Sequence, residues 1–238
     1  MNLDEERVFK YLKAHFGENV VFEPDGKVPP DFLVDSMYAV EARRLNQNFF
    51  DKEKSEGLEQ LSFPIFDVFK SVLKSFDSLY QGNTYWVAID FERPLSMSMR
   101  QAKKDMEVSL RSFLTYEVSD FPHTLSVSEN IDFTIFLSQP ISGRVFRPAG
   151  SLDLDAGGCV IPMYTGNLRH CINEKSSKVT DYLPKYREWW LYLVDHMGWG
   201  LDGRETKDLI SSISNIGNFD GVFIISNNGE TLLASKSR

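Results

Sequence analysis

The sequence predicts an α/β fold, because helical and strand patterns alternate along the chain. In the first segment apolar residues recur at helical spacing: Val8, Phe9, Leu12 and Phe16. Short apolar runs of strand length follow at residues 20–23, 32–34 and 38–44. Two later runs, 189–194 and 221–225, are continuously apolar, which is typical of buried strands. The length suits one large mixed domain or two small ones.

The composition indicates a globular protein without a general attraction to nucleic acid. The 238 residues are 42% hydrophobic and carry a formal net charge of −8, so contact with a polyanion would need a local patch rich in Lys and Arg. The two cysteines support neither a disulfide framework nor a zinc site. The N-terminus is acidic and amphipathic, and no stretch is apolar enough to span a bilayer. We therefore expect a cytoplasmic protein that makes no membrane contact.

The first helix and the hairpin after it bring charged residues together. Asn2 is a candidate N-cap, and Glu5 completes a capping-box pattern. Strands 32–34 and 38–44 form a tight hairpin around Ser36, so positions equidistant from Ser36 face one another. This register predicts that Asp31 lies opposite Glu41.

The alternation of side chains along a strand sorts this hairpin into two faces. Arg43 falls on the same face as Glu41, and the opposite face carries apolar residues that can pack on a helix: Phe32, Val34, Val40 and Ala42. Two adjacent carboxylates repel each other, and a divalent cation, a shared proton or a salt bridge relieves the repulsion. The alternative interpretation of Asp31, Glu41 and Arg43 is a solvated sheet face with a surface ion pair.

Pro30-Asp31 and Glu41-Ala42-Arg43, within PPDFLVDSMYAVEARRLNQN, resemble the signature of the PD-(D/E)XK nuclease (restriction-endonuclease-like) superfamily. The resemblance implies a core of one helix, a three-stranded antiparallel start and a helix-strand continuation. It further implies Mg²⁺ (or Mn²⁺) held by Asp31, Glu41 and the Ala42 carbonyl. Asp31, Glu41, Arg43 and Glu5 are then the candidate catalytic residues. A capping role for Glu5 remains an equal alternative.

The same resemblance divides the chain into a core and a large α/β insertion. Residues 1–50 and 169–238 form the predicted core, in which segment 172–195 supplies the continuation. Residues 51–168 are the insertion, either separate or extending the same sheet. A rival assignment uses residues 63–91 as the continuation. Within the insertion, the apolar runs 144–147 and 159–164 lie on either side of a predicted loop, and 46–60 is predicted as a polar loop.

Arg43 departs from the family pattern, which has lysine at this position. Arginine cannot accept a proton, but it can stabilise developing charge. A second alternative is that Lys175 or Lys178 supplies an ammonium from the later helix, where both share a face with Cys171 and Tyr182. Otherwise the two lysines are a solvated helix face or candidate contacts to nucleic acid.

The sequence therefore supports two functional hypotheses. The first is a Mg²⁺-dependent phosphodiesterase that hydrolyses DNA. The second is a non-catalytic module of the same fold that binds nucleic acid, a protein partner or a second copy of itself. The Arg43 substitution and the acidic net charge motivate the second hypothesis.

Overall fold

A computed structural model describes residues 1–51, 54–198, 200–226 and 229–235, the last stretch by its backbone. In chain order the elements are α1 (Leu3–Phe16), β1 (Val20–Phe22), β2 (Phe32–Val34), β3 (Tyr38–Leu45), β4 (Asn48–Asp51), β5 (Lys54–Gly57), α2 (Glu59–Ser75), β6 (Thr84–Phe91), α3 (Met99–Phe113), β7 (His123–Ser128), β8 (Ile131–Ser138), β9 (Phe146–Asp153), α4 (Val160–Val179), β10 (Glu188–Asp195), α5 (Gly203–Ser212), β11 (Gly221–Ser226) and β12 (Gly229–Ser235). The α/β class predicted from the sequence is confirmed.

The chain divides into two compact units. Met1–Gln47 and Gly158–Arg238 form one, here called the discontinuous unit, and Asn48–Gly157 form the other, here called the inserted unit. Each unit has its own sheet, so the alternative in which the insertion extends the first sheet is wrong.

The discontinuous unit contains a six-stranded sheet in the order β1-β2-β3-β10-β11-β12. Strands β1, β2 and β3 are antiparallel neighbours, whereas β10 runs parallel to β3 and β11 runs parallel to β10. The helix-strand continuation next to β3 is therefore α4 and β10. The rival assignment to residues 63–91 is wrong, because β6 pairs with β8 and β9 of the inserted unit.

The predicted hairpin register is confirmed. Phe32 pairs with Val40, and Val34 pairs with Tyr38. At the turn, Asp35 and Ser36 have φ values of 49° and 60°. Two successive positive φ values match the right-handed twist of the flanking strands. The turn thereby fixes which residues of β3 face each way.

Helices cover both faces of this sheet. Val8 and Leu12 of α1 pack against Phe32, Val40 and Ala42 on the face predicted to be apolar. On the opposite face, α4 packs against a second apolar set that includes Ala39, Leu45, Leu191 and Leu193. Glu41 and Arg43 alternate with the first set, so they face α4.

The inserted unit has a four-stranded sheet in the order β7-β8-β6-β9 and a separate hairpin, β4-β5. Strand β6 is antiparallel to β8 and parallel to β9. Helices α2 and α3 pack on one face of the sheet, where Phe69 and Met106 join Val87 and Phe133 in a single apolar cluster.

Two parts of the insertion differ from the sequence prediction. The loop expected after residue 147 begins as the edge strand β9, because backbone pairing to the central strand β6 outweighs its weak strand composition. The predicted loop 46–60 contains the hairpin β4-β5 and the start of α2; positions 52 and 53 lie outside the described residues.

The predicted end of the insertion also needs correction. The apolar run 159–164, which the sequence prediction placed in the insertion, lies at the start of α4. Pro162 is in the first turn of this helix, where its missing N–H is tolerated. The predicted boundary between residues 168 and 169 falls inside α4, and the discontinuous unit resumes at Gly158.

Among the described residues, no helix has both the length and the apolar character needed to cross a membrane.

Replacing Leu12 with alanine tests the packing of α1 on the sheet. Leu12 is 0% exposed, so Leu12→Ala should lower the free energy of unfolding by about 2–5 kcal/mol. Leu3→Ala in the same helix is the matched control, because Leu3 is 80% exposed and should change stability by less than about 0.5 kcal/mol. Urea unfolding followed by tryptophan fluorescence measures both. Equal effects would contradict the described packing.

Candidate functional site

Asp31 and Glu41 lie next to each other at the point where β2 begins beside β3. Glu41 is in the middle of β3, paired with Leu191 of β10, and is only 2% exposed. Asp31 directly precedes β2, and its Oδ2 accepts a hydrogen bond of 2.8 Å from the backbone N–H of Ala42. The hairpin register thus brings the two predicted carboxylates together.

The ammonium of Lys175 lies between these two carboxylates. Its Nζ is 2.5 Å from Glu41 Oε2 and 3.4 Å from Asp31 Oδ2. The Lys175 side chain, on α4, is 11% exposed. Lys175 is therefore largely shielded from solvent and contacts the sheet, and its alternative assignment to a solvated helix face is wrong. Asp31, Glu41 and Lys175 are called the acidic triad below.

Burial and mutual charge shift the titration of this triad. Burial raises the pKa of the Glu41 carboxyl, and the charge of Asp31 adds to this effect against the opposing charge of Lys175. Burial disfavours the Lys175 ammonium, but the charges of Glu41 and Asp31 outweigh it and raise the pKa of Lys175. One cation thus faces two carboxylates, and the group keeps an excess of negative charge.

One buried oxygen of this site lacks a hydrogen-bond partner within the described part of the chain. It is Glu41 Oε1. A buried carboxylate oxygen without a donor or a cation is costly. The position is therefore one where an additional cation or donor would be stabilised.

Arg43 belongs to a second charged cluster beside the acidic triad. Its Nη2 is 2.5 Å and its Nε 3.0 Å from Glu174 Oε2, and Lys178 Nζ is 2.9 Å from the other oxygen of Glu174. Burial opposes ionisation of Glu174, but the hydrogen bonds from Arg43 and Lys178 lower its pKa to about 2. The guanidinium of Arg43 is thus directed to Glu174, while Lys175 pairs with the two predicted carboxylates.

Lys178 differs from Lys175 in exposure. Its side chain is 56% exposed, and it pairs with Glu174 one helical turn away. It makes no ion pair with Asp31 or Glu41 among the described residues.

Glu5 forms the capping box of α1. Its Oε2 accepts from the Asn2 backbone N–H at 2.7 Å, and its Oε1 accepts from the Asn2 side chain at 2.7 Å. Both oxygens are thus engaged at the helix N-terminus, as the capping alternative predicts. The neighbouring Asp4, which the sequence did not single out, instead links α1 to Arg44 at 2.9 Å and to His196 at 2.6 Å.

The residues available to hold a divalent metal are few. The described residues contain no group of three or more His, Cys, Asp or Glu side chains arranged to hold a metal ion. Asp31 and Glu41 supply two hard carboxylate ligands. The N–H and C=O of one strand residue point toward the same neighbour, so the Ala42 carbonyl faces the side on which Asp31 accepts its N–H. These three groups are oxygen ligands suited to Mg²⁺.

The sequence contains a signal for the position of Lys175. Buried residues of α4 recur at helical spacing: Tyr164, Leu168, Cys171, Ile172 and Val179. Lys175 falls within this stripe, where a lysine requires a carboxylate partner. The predicted helix begins later than α4 and therefore lacks the first residues of this stripe. Without them, the pattern places Lys175 on the solvent-facing side.

Replacing Lys175 with methionine tests the electrostatics of the triad. Removal of the ammonium leaves the buried Glu41 and the half-buried Asp31 without a cation, so Lys175→Met should destabilise the protein by about 3–5 kcal/mol near pH 8. Without the cation, burial and the charge of Asp31 are opposed less and raise the pKa of Glu41 further, so the folded variant binds a proton more readily than the unfolded chain. Stability of the variant should therefore fall as pH rises from about 5 to about 8.

Urea unfolding across this pH range measures the effect. Lys178→Met, which removes an exposed ammonium from the same helix, should cost less than about 1 kcal/mol at each pH. Equal and pH-independent losses in the two variants would rule out the described role of Lys175.

Comparison of the chain with protein-family models, curated proteins and solved structures finds no match. The interpretation of this site therefore depends on its geometry and on the residues themselves.

Proposed function

We propose that the chain is a divalent-metal-dependent phosphodiesterase of the PD-(D/E)XK type that acts on DNA. The observation that carries this proposal is the convergence of Asp31, Glu41 and Lys175 on one face of the sheet. The order α1, β1 to β3, α4 and β10, with β10 parallel to β3, supports it, because it matches the core that the sequence resemblance implies.

The ligand set fits a hard cation. Asp31, Glu41 and the carbonyl of Ala42 would hold Mg²⁺ or Mn²⁺, and the unpartnered Oε1 of Glu41 is an available ligand atom. When bound, such an ion acts as a Lewis acid toward the phosphate and lowers the pKa of water.

In this proposal Lys175, on α4, supplies the ammonium that the family pattern places on the strand at the position of Arg43. The carboxylates raise the pKa of Lys175, so it is protonated at neutral pH and donates hydrogen bonds instead of accepting a proton. A protonated ammonium beside the reacting phosphate stabilises the negative charge that develops there. Arg43 supports this indirectly: by binding Glu174, it keeps that carboxylate away from Lys175.

The non-catalytic hypothesis is favoured by a separate observation. Lys175 already neutralises part of the carboxylate charge at 2.5 Å from Glu41, so a metal ion must compete with an ammonium for the same oxygens. A chain that never loads the metal would retain this closed ion pair as a structural element. It would then bind nucleic acid or a protein partner without cleaving it.

A cleavage assay separates the two hypotheses. Supercoiled plasmid and labelled single- and double-stranded oligonucleotides are incubated with Mg²⁺ or Mn²⁺. Asp31→Asn and Glu41→Gln should abolish metal-dependent cleavage, because each removes a charged ligand. Lys175→Met should slow it by about 100- to 1,000-fold, because it removes a charge-stabilising donor.

Two variants serve as controls in the same assay. Lys178→Met should retain cleavage, since the Lys178 side chain is 56% exposed and contacts Glu174. Arg43→Met tests the cation assignment: a larger loss than in Lys175→Met would transfer the role to Arg43. Cleavage that survives both carboxylate substitutions would reject the catalytic proposal. Absence of cleavage by the wild type with both Mg²⁺ and Mn²⁺ would reject it as well.

Metal binding is testable without catalysis. Mn²⁺ should raise the thermal unfolding midpoint of the wild type, because a ligand bound to the folded state stabilises it by mass action. Glu41→Gln should lose this shift. Lys175→Met should show a larger shift than the wild type, since no ammonium competes for the carboxylates. A shift of the same size in all three proteins would place the metal elsewhere.

A further inference from the structure

Among the described residues of the inserted unit, no helix packs on one face of the four-stranded sheet. Helices α2 and α3 pack on the other face, against Val87 and Ile89 of β6. Strand alternation turns the intervening residues Trp86, Ala88 and Asp90 to the uncovered side. This uncovered side is called the open face below.

Two aromatic residues and an arginine form a row across three adjacent strands of the open face. Trp86 of the central strand β6 pairs with Phe136 of β8 on one side and with Arg147 of β9 on the other. Phe136 is 39% exposed. The guanidinium of Arg147 lies over the Trp86 ring, 4.6 Å from its centroid. Trp86, Phe136 and Arg147 are called the platform below, and in it the guanidinium covers one face of the Trp86 ring.

Beyond the platform, the open face carries first a row of small side chains and then a row of acidic ones. The row next to the platform carries small side chains, Thr134, Ala88 and Gly150. The row beyond carries Asp132 and Asp90, which pair across β8 and β6. A ligand can therefore extend over the small row, and an anionic ligand is repelled from the far end.

A basic cleft adjoins the Arg147 end of the platform. A cavity of about 340 Å³ lies between α2 and β9, and its lining includes Lys70, Lys74, Arg144 and Arg147. Arg144 pairs with Asp77 and Lys70 with Asp67. Among the described residues, no ion pair holds Lys74 or Arg147. In a chain of net charge −8, this is a local concentration of positive charge.

We propose that the open face binds single-stranded nucleic acid. Exposed bases would stack on Phe136 and on the Arg147 guanidinium that lies over Trp86, and the phosphates would lie in the adjoining basic cleft. Stacking on aromatic side chains requires bases with free faces, which a duplex does not offer. The combination of rings with an adjoining cationic cleft is complementary to such a strand. The proposal concerns a second surface and does not depend on the acidic triad.

Fluorescence anisotropy tests the proposal. Labelled oligothymidylate, oligouridylate and a DNA duplex are titrated with the full chain in EDTA, so that no metal-dependent cleavage occurs. The wild type should bind the single strands more tightly than the duplex. Trp86→Ala should raise Kd by about 5- to 100-fold, and Trp86→Phe should restore most of the affinity. Arg147→Ala should reduce the slope of log affinity against log salt by about 0.7.

Matched controls separate this surface from general effects of substitution. Leu152→Ala changes an apolar residue of the same face, 54% exposed and opposite Asp90, and should leave Kd unchanged. Arg100→Ala removes an equal charge from an exposed position on α3 and should also have no effect.

Several outcomes would overturn the proposal. They are absence of binding by the wild type, equal affinity for duplex and single strand, and Trp86→Ala or Arg147→Ala behaving like the control variants. Trp86→Phe as weak as Trp86→Ala would also reject stacking, provided that circular dichroism shows both to be folded. Since these titrations contain no metal, their failure is independent of the outcome of the cleavage assay.

Discussion

A carboxylate buried within a sheet requires compensation, and much of the discontinuous unit is arranged to provide it for Glu41. Glu41 is 2% exposed and lies beside a second carboxylate, Asp31. A lone charge at such a position is strongly unfavourable. The Ala42 N–H satisfies Asp31, Lys175 reaches across from α4, and Arg43 with Lys178 holds the neighbouring Glu174. The charge of Glu41 is therefore compensated only when α4 packs on β3, because α4 carries Lys175.

The long interruption between β3 and α4 is compatible with this arrangement. Lys175 lies far from Glu41 in sequence, and the inserted unit (Asn48–Gly157) separates them. Parallel strands such as β3 and β10 need a crossover connection in any case. The entropy of closing a flexible connection grows only slowly with its length. A unit with its own sheet and core can thus occupy the crossover without disturbing the register of β3 and β10.

The local part of the site could be predicted from the sequence, and the long-range part could not. The turn at Ser36 and the alternation of β3 fixed the register of Asp31 and the face of Glu41, because both depend on residues close in sequence. The position of Lys175 depends on where α4 begins, and the apolar run 159–164 has the same pattern in a strand and in a helix. The part of β9 after residue 147 was not predicted for a related reason: it is specified by pairing with β6 more than by its own composition.

The adjacency of Glu174 and Lys175 has a consequence for how α4 docks. Successive residues on a helix point about 100° apart, so the two opposite charges are directed to different partners, Arg43 and the carboxylate pair. A slip of one residue would bring Glu174 against Asp31 and Glu41, and three carboxylates would then meet without a cation. The order of Glu174 and Lys175 in the sequence therefore favours the observed rotation of α4 in two ways. Attraction between opposite charges stabilises this rotation, and repulsion among three carboxylates disfavours the slipped one.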